Sequence, residues 1–225
     1  MAGFYAAVDT IRKFRAQITV KHVGMTEKNT KRLAQFEDRR NVDQLFKLPR
    51  LLSDRAAQSN RESSWVALDV MLAIAIEILL VCPIRVGNLA TLDIERHFSW
   101  RGQGNSQIVA LAIPGSEVKN EQPIEADFPL ETTRLLRNYL KTYRPLLSEN
   151  PGDWLFPNRT GGHRNPSDLS KDVSRVVRRE TGLIMNAHLF RHLAGMLILQ
   201  RHPGSYELVR LLARQAAREA KPNVE

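Results

Sequence analysis

One cysteine, Cys82, is the whole thiol content of this 225-residue chain. It lies inside an apolar run, where a cysteine behaves as a small buried hydrophobe. A single thiol excludes an internal disulfide and any cysteine-cluster metal site. No histidine pair stands at ligand spacing with a carboxylate, so no metal is expected. No glycine-rich loop leads into Lys-Ser or Lys-Thr; ATP use has no support and no cofactor is expected. The first residues lack a signal peptide's apolar stretch, because Arg12, Lys13 and Arg15 interrupt it. The run from Trp65 to Cys82 has membrane-like length, but Asp69 and Glu77 break it, so a core helix is expected and a membrane is not. Internal repeats and low-complexity blocks are lacking too. A cytoplasmic protein is the default expectation.

Acidic residues are also in deficit. Lys and Arg number 33 against 24 Asp and Glu, a net charge of +9 and a pI near 10.0. Residues 1–64 hold 13 of those cations against 7 acids. Such an excess argues for a polyanionic partner or an anionic surface and says nothing of fold. Solvated lysines alone would give the same figure.

The chain reads as α+β: mainly helical with a small antiparallel three-stranded sheet. Residues 1–40 form one or two basic helices without a strong apolar face, broken at Gly24 and Asn29. Residues 41–60 continue helical, with Leu45, Phe46, Leu48, Leu51 and Leu52 at apolar positions. The 65–82 helix is apolar nearly all round and therefore central, and Pro83 ends it. A short helix follows at about 86–92. Gln107–Ile113, Glu117–Lys119 and Ile124–Phe128 read as three strands, the last two joined by a tight turn at Asn120–Gln122. Leu135, Leu136, Tyr139, Leu140 and Tyr143 then fall on one helical face. Trp154–Pro157 is extended, and Asn158–Asn165 is a loop with Arg159, Arg164 and no acid. Asn165-Pro166 opens the next helix as N-cap and first turn, Leu169, Val173, Val176 and Val177 line its core side, and Gly182 stops it. Asn186 caps a helix to about Gln200; His202-Pro203-Gly204 turns, and Tyr206–Leu212 is a further helical piece.

The helix after Asn186 carries chemistry. Its residues are apolar except His188, Arg191 and His192, which with Gly195 stand at i, i+3, i+4 and i+7 and so form one stripe. Cations on an otherwise buried helix are costly unless neutralised. They also sit near the positive end of the helix dipole, which suits an anion. A bound phosphate would remove the conflict, and Gly195 would leave it room. The alternative is that an acid elsewhere, such as Asp69 or Glu77, pairs with Arg191. Arg85, between apolar residues in Cys82-Pro-Ile-Arg-Val-Gly-Asn-Leu89, is a second cation aimed at a cleft. Arginine grips phosphate through paired planar hydrogen bonds, which lysine cannot. Lys119 sits at a hairpin turn, where most lysines are merely solvated; His163 and His202 read as surface residues.

These residues resemble a family. Pro83-Ile-Arg85-Val-Gly-Asn-Leu-Ala-Thr-Leu92 looks like the first-arginine motif of tyrosine recombinases and phage integrases. His188-Leu-Phe-Arg191-His192 looks like their His-x-x-Arg-His box, and Lys119 lies between, where the family keeps an active-site lysine. The resemblance spans residues 41–212. It implies a partner, double-stranded DNA, and a metal-free cleavage and religation through a 3′-phosphotyrosyl link. Arg85 and Arg191 would hold the scissile phosphate, His188 would assist proton transfer at the attacking hydroxyl, and Lys119 would protonate the leaving 5′ oxygen. His192, Arg159 and Arg164 join Arg85, Lys119 and Arg191 as expected DNA contacts. Residues 1–40 would be the end of an N-terminal DNA-clamping domain.

Three departures accompany the resemblance. Asn88 replaces an acid common in the family. Ala213-Arg214-Gln215 stands where a Leu-Gly-His stretch is usual. No tyrosine follows Tyr206, and Asn223-Val224 occupy the nucleophile's place. The tail 213–225 is atypical, so a truncated or frameshifted gene is expected, with cleavage impaired. The alternative is a DNA-binding remnant or regulator without chemistry. Members assemble on DNA as tetramers, often by exchanging a C-terminal segment, so a weak homo-oligomer on DNA is expected here.

Overall fold

A computed structural model describes residues 26–59, 63–119 and 121–201. The expected helices before residue 26, Asn120 of the tight turn, the piece at Tyr206–Leu212 and the tail 213–225 lie outside the described residues.

Helix α1, Glu27–Ala34, starts at Thr26, whose hydroxyl accepts from the Asn29 backbone N–H at 3.4 Å. Asn29 thus lies inside a helix and is no break. A 3₁₀ turn at Gln35–Glu37 buries Phe36 and leads to α2, Arg39–Gln58. Leu45, Leu48 and Leu52 of α2 face the core, while Phe46 and Leu51 point outward. Helix α3, Ser64–Val81, is capped by Ser63 and packs against α2 and most of the later helices. It is long and apolar enough to cross a membrane by composition. From Val70 to Ile76 every residue is buried, yet Trp65 in the first turn is 75% exposed.

Helix α4, Val86–Ala90, and helix α5, Ile94–His97, follow. Strands β1 (Phe98–Arg101), β2 (Ile108–Ile113) and β3 (Ile124–Asp127) form an antiparallel sheet in the order β1-β2-β3, with Trp100 opposite Val109 and Leu111 opposite Ala126. Three strands were expected, but one is misplaced in the sequence reading. Glu117–Lys119 is no strand: Gly115–Glu117 is a 3₁₀ turn, closed by Val118 N–H donating to Gly115 O at 3.0 Å. The third strand is β1, whose side chains alternate inward and outward as a half-buried edge requires.

Helix α6, Leu130–Asn138, widens into a π-type turn at Tyr139–Tyr143. Leu136, Tyr139 and Tyr143 are buried, and the Tyr139 hydroxyl donates to Leu155 O at 2.7 Å. Asn165 caps α7, Pro166–Thr181, by accepting from Ser167 N–H at 2.8 Å, and Gly182 ends it at φ +73°. Leu169, Val173, Val176 and Val177 are buried as expected. Helix α8 is Leu189–Arg201, two residues later than the sequence reading begins it. Asn186 still caps it, accepting from Leu189 N–H at 2.8 Å, so Ala187 and His188 form the turn beneath the cap.

A charged network ties three helices. Glu180 on α7 accepts from Arg55 of α2 at 2.9 and 3.2 Å and from Arg179 at 2.7 Å, and Arg179 reaches Asp69 of α3 at 3.0 Å. Burial pushes the Glu180 carboxyl up, but the bonds from Arg55 and Arg179 outweigh it and hold it below its ordinary value of 4.5. A depressed carboxyl stabilises the fold above that ordinary value and loses the contribution as pH falls through its folded value. Glu180→Gln is therefore expected to cost about 1–2 kcal/mol at neutral pH, since both arginines are half-exposed and screened. Urea melts should show that gap closing below pH ~4. An equal gap at both pH values would show the charge to be irrelevant.

Candidate active site

Helix α3 ends where its apolar run meets Pro83. Cys82 N–H still reaches Ile78 O at 2.7 Å, then the chain turns extended and Arg85 becomes the residue before α4, with φ −67° and ψ 146°. Extended backbone there sends the Arg85 side chain inward, where the residue is 9% exposed. Arg191 stands in the first turn of α8 and is 4% exposed. Its Nε donates to Pro83 O at 2.8 Å. The first-arginine segment and α8 are thus joined directly. The acids considered as partners of Arg191 are engaged elsewhere: Asp69 with Arg179 at 3.0 Å, and Glu77 as acceptor from the Thr132 hydroxyl at 2.5 Å. Burial raises the Glu77 carboxyl above its ordinary range.

Arg85, Lys119, His188 and Arg191 line one cleft of about 810 Å³. They come from the end of α3, the β2–β3 connection and the entry to α8. Asn88, Glu117 and Glu121 line it too. The Lys119 connection is held from both sides. Asn88 Nδ2 donates to Glu117 O at 3.2 Å. The Glu117 carboxylate pairs with Arg96 and, at 3.0 Å, with Nε2 of the buried His97.

The remaining expected contacts lie outside this cleft. His192 stacks edge-on against His188 with ring centroids 5.1 Å apart and is not among the lining residues. Burial, then His188 and Arg191, lower its pKa, so the neutral ring is favoured. Arg159 and Arg164 line a separate cavity of about 180 Å³ with Ser64, Trp65 and Leu147. Arg164 is held there by Asp172 at 2.5 Å. His163 is half-buried rather than a plain surface residue, packed edge-on against Trp154 at 5.2 Å.

Among the described residues, no tyrosine lines the cleft: Tyr139 and Tyr143 are both buried in the core. Burial raises the Tyr139 phenol far above its ordinary value. The nearby thiol is equally unsuited to attack. Burial pushes Cys82 up to about 11, against the pull of Arg191, and a protonated thiol is a poor nucleophile.

Arg96, His97 and Glu117 join the site without a local signal in the sequence. Pairings across twenty residues leave no local periodicity; the only cue was a lone acid two residues before Lys119.

The chain is similar to known proteins at two levels. Among solved structures it resembles the XerH site-specific recombinase bound to difH substrate in a pre-cleavage complex, at 20% identity and TM-score 0.52, covering 80% of this chain and 46% of that one. It also resembles XerH bound to palindromic difH substrate in a post-cleavage complex, at 19% identity and TM-score 0.52, covering 76% and 48%. The chain spans about half the length of those proteins, and at such identities the likeness speaks for the fold alone. No curated protein matches. The model of the phage integrase family matches residues 49–210, most of the sequence, a span that includes Arg85, Lys119, His188 and Arg191. This chain belongs to the phage integrase family.

Proposed function

We propose that the chain binds duplex DNA and grips one backbone phosphate in the cleft, as a module of tyrosine-recombinase type. The observation that carries this reading is the convergence of two buried arginines, a lysine and a histidine on one cleft. Two planar guanidinium forks suit the oxygens of a phosphodiester. Arg85 and Arg191 hold the phosphate and stabilise the added charge of a pentacoordinate state. His188 takes or gives the proton at an attacking hydroxyl, and Lys119 gives one to the departing 5′ oxygen. His192 supports the His188 ring from behind. Arg159 and Arg164, away from the cleft, serve only as flanking backbone contacts.

The covalent step needs a nucleophile that this sequence lacks after Tyr206. Our reading is therefore of DNA binding with the cleavage step impaired, and its alternative is a binding module without chemistry. Incubation with a nicked suicide duplex followed by denaturing electrophoresis tests both halves. Salt-sensitive binding without an adduct is expected. A covalent adduct would overturn the inactive reading, and Tyr206→Phe would then show whether that residue formed it. No binding at low salt would sink the DNA reading altogether.

A further inference from the structure

We infer that Glu117 is a positioning residue for Lys119, held as the hub of a latch that fixes the lysine's loop to the arginine side of the cleft. This rests on reading the cleft as a DNA-phosphate site.

An acid lining such a cleft is at first sight misplaced, because it would repel the phosphate. The geometry removes the contradiction. One carboxylate oxygen of Glu117 pairs with Arg96 and the other lies 3.0 Å from His97 Nε2. His97 is fixed in turn. Its Nδ1 lies 2.9 Å from the Asp93 backbone N–H, so that nitrogen is the acceptor and the ring proton sits on Nε2, facing Glu117. Asp93 also caps α5, accepting from Glu95 and Arg96 N–H at 2.9 Å each. The acid is thus matched by a cation and a ring N–H in a preset socket.

The main chain of Glu117 is engaged as well. Its N–H donates to Pro114 O at 3.0 Å and its carbonyl accepts from Asn88 at 3.2 Å. Asn88 lies three residues beyond Arg85, on the short helix that Arg85 introduces. Side chain, carbonyl and N–H of one residue are therefore all held, and Lys119 follows two positions later. Asn88 carries an amide, which can donate to this carbonyl where a carboxylate could not.

Two views of Glu117 predict opposite signs. If it is only a negative charge near the cleft, Glu117→Gln should tighten DNA binding. If it is the hub, the same change loosens Lys119 and weakens binding. The measurement is fluorescence anisotropy of a mixed-sequence duplex over a range of salt, with the full chain, Glu117→Gln, Lys119→Ala and the double variant. Glu117→Gln is expected to bind roughly three- to tenfold more weakly. Its plot of log K against log salt should flatten toward that of Lys119→Ala, by about 0.9 for one lost phosphate contact. The double variant should bind no more weakly than Lys119→Ala, because the effects run through one side chain.

Equal or tighter binding by Glu117→Gln, or losses that simply add, would overturn the inference. Should Glu117→Gln melt too early for comparison, Asn88→Ala cuts the second tether without changing charge. It should also bind more weakly and fail to add to Lys119→Ala; unaltered binding would overturn the latch. If the unaltered protein showed no salt-sensitive binding, the DNA reading itself would fall, and the inference with it.

Discussion

Arg191→Ala is expected to weaken duplex binding roughly ten- to a hundredfold, the loss of one or two charge-assisted hydrogen bonds to a phosphate. The residue is 4% exposed and its Nε is committed to Pro83 O at 2.8 Å. Arg191→Lys should do little better, since an ammonium cannot hold the carbonyl and offer a planar pair to a phosphate together. The salt dependence should flatten by about 0.9 in Arg191→Ala, which loses the charge, and much less in Arg191→Lys, which keeps it. Wild-type affinity in Arg191→Lys would show that charge alone matters and that the fork does not.

The second large effect concerns Gly115. A Cβ there would stand 2.5 Å from Glu121 O and 3.0 Å from its carbonyl carbon. Both are backbone atoms, so no side chain can swing aside. Glu121 is itself at φ +58°, the left-handed region that costs a side-chain-bearing residue energy. Gly115→Ala must therefore push open the connection that carries Lys119. We expect a loss of about 1–3 kcal/mol in urea melts, with DNA binding lowered to near the level of Lys119→Ala. Gly87→Ala is the contrast. A Cβ at Gly87 meets nothing within 4 Å, and the substitution in helix α4 should leave stability unchanged or raise it by up to about 1 kcal/mol. Equal stability of the two variants would show that the loop tolerates the clash.

Local signals were legible wherever neighbours in sequence settle the structure. Asn165-Pro166 and Gly182 bound α7 because a cap and a positive φ depend on a few adjacent residues. The apolar run of α3 fixes a central helix, though it conceals that Trp65 in the first turn is exposed. Strand β1 escaped notice because Phe98-Ser-Trp-Arg101 offers four residues of alternation directly after α5. Glu117–Lys119 was misread because Val118 beside a Pro-Gly turn imitates a strand. Only the approach of Gly115 to Glu121, which no periodicity encodes, makes it a turned loop. The four cleft residues were legible through ordered motifs. The latch was not, because Asn88, His97 and Glu117 meet across folded distance and each is unremarkable in its own neighbourhood.

The bond from Arg191 to residue 83 has an evolutionary consequence. Its acceptor is a main-chain oxygen, which every amino acid supplies. Position 83 can therefore drift to other residues without unhitching the two arginines, provided the chain still leaves α3 in the same direction. Pro83→Ala should accordingly keep the spacing between the Arg85 segment and α8, because the carbonyl that joins them is retained.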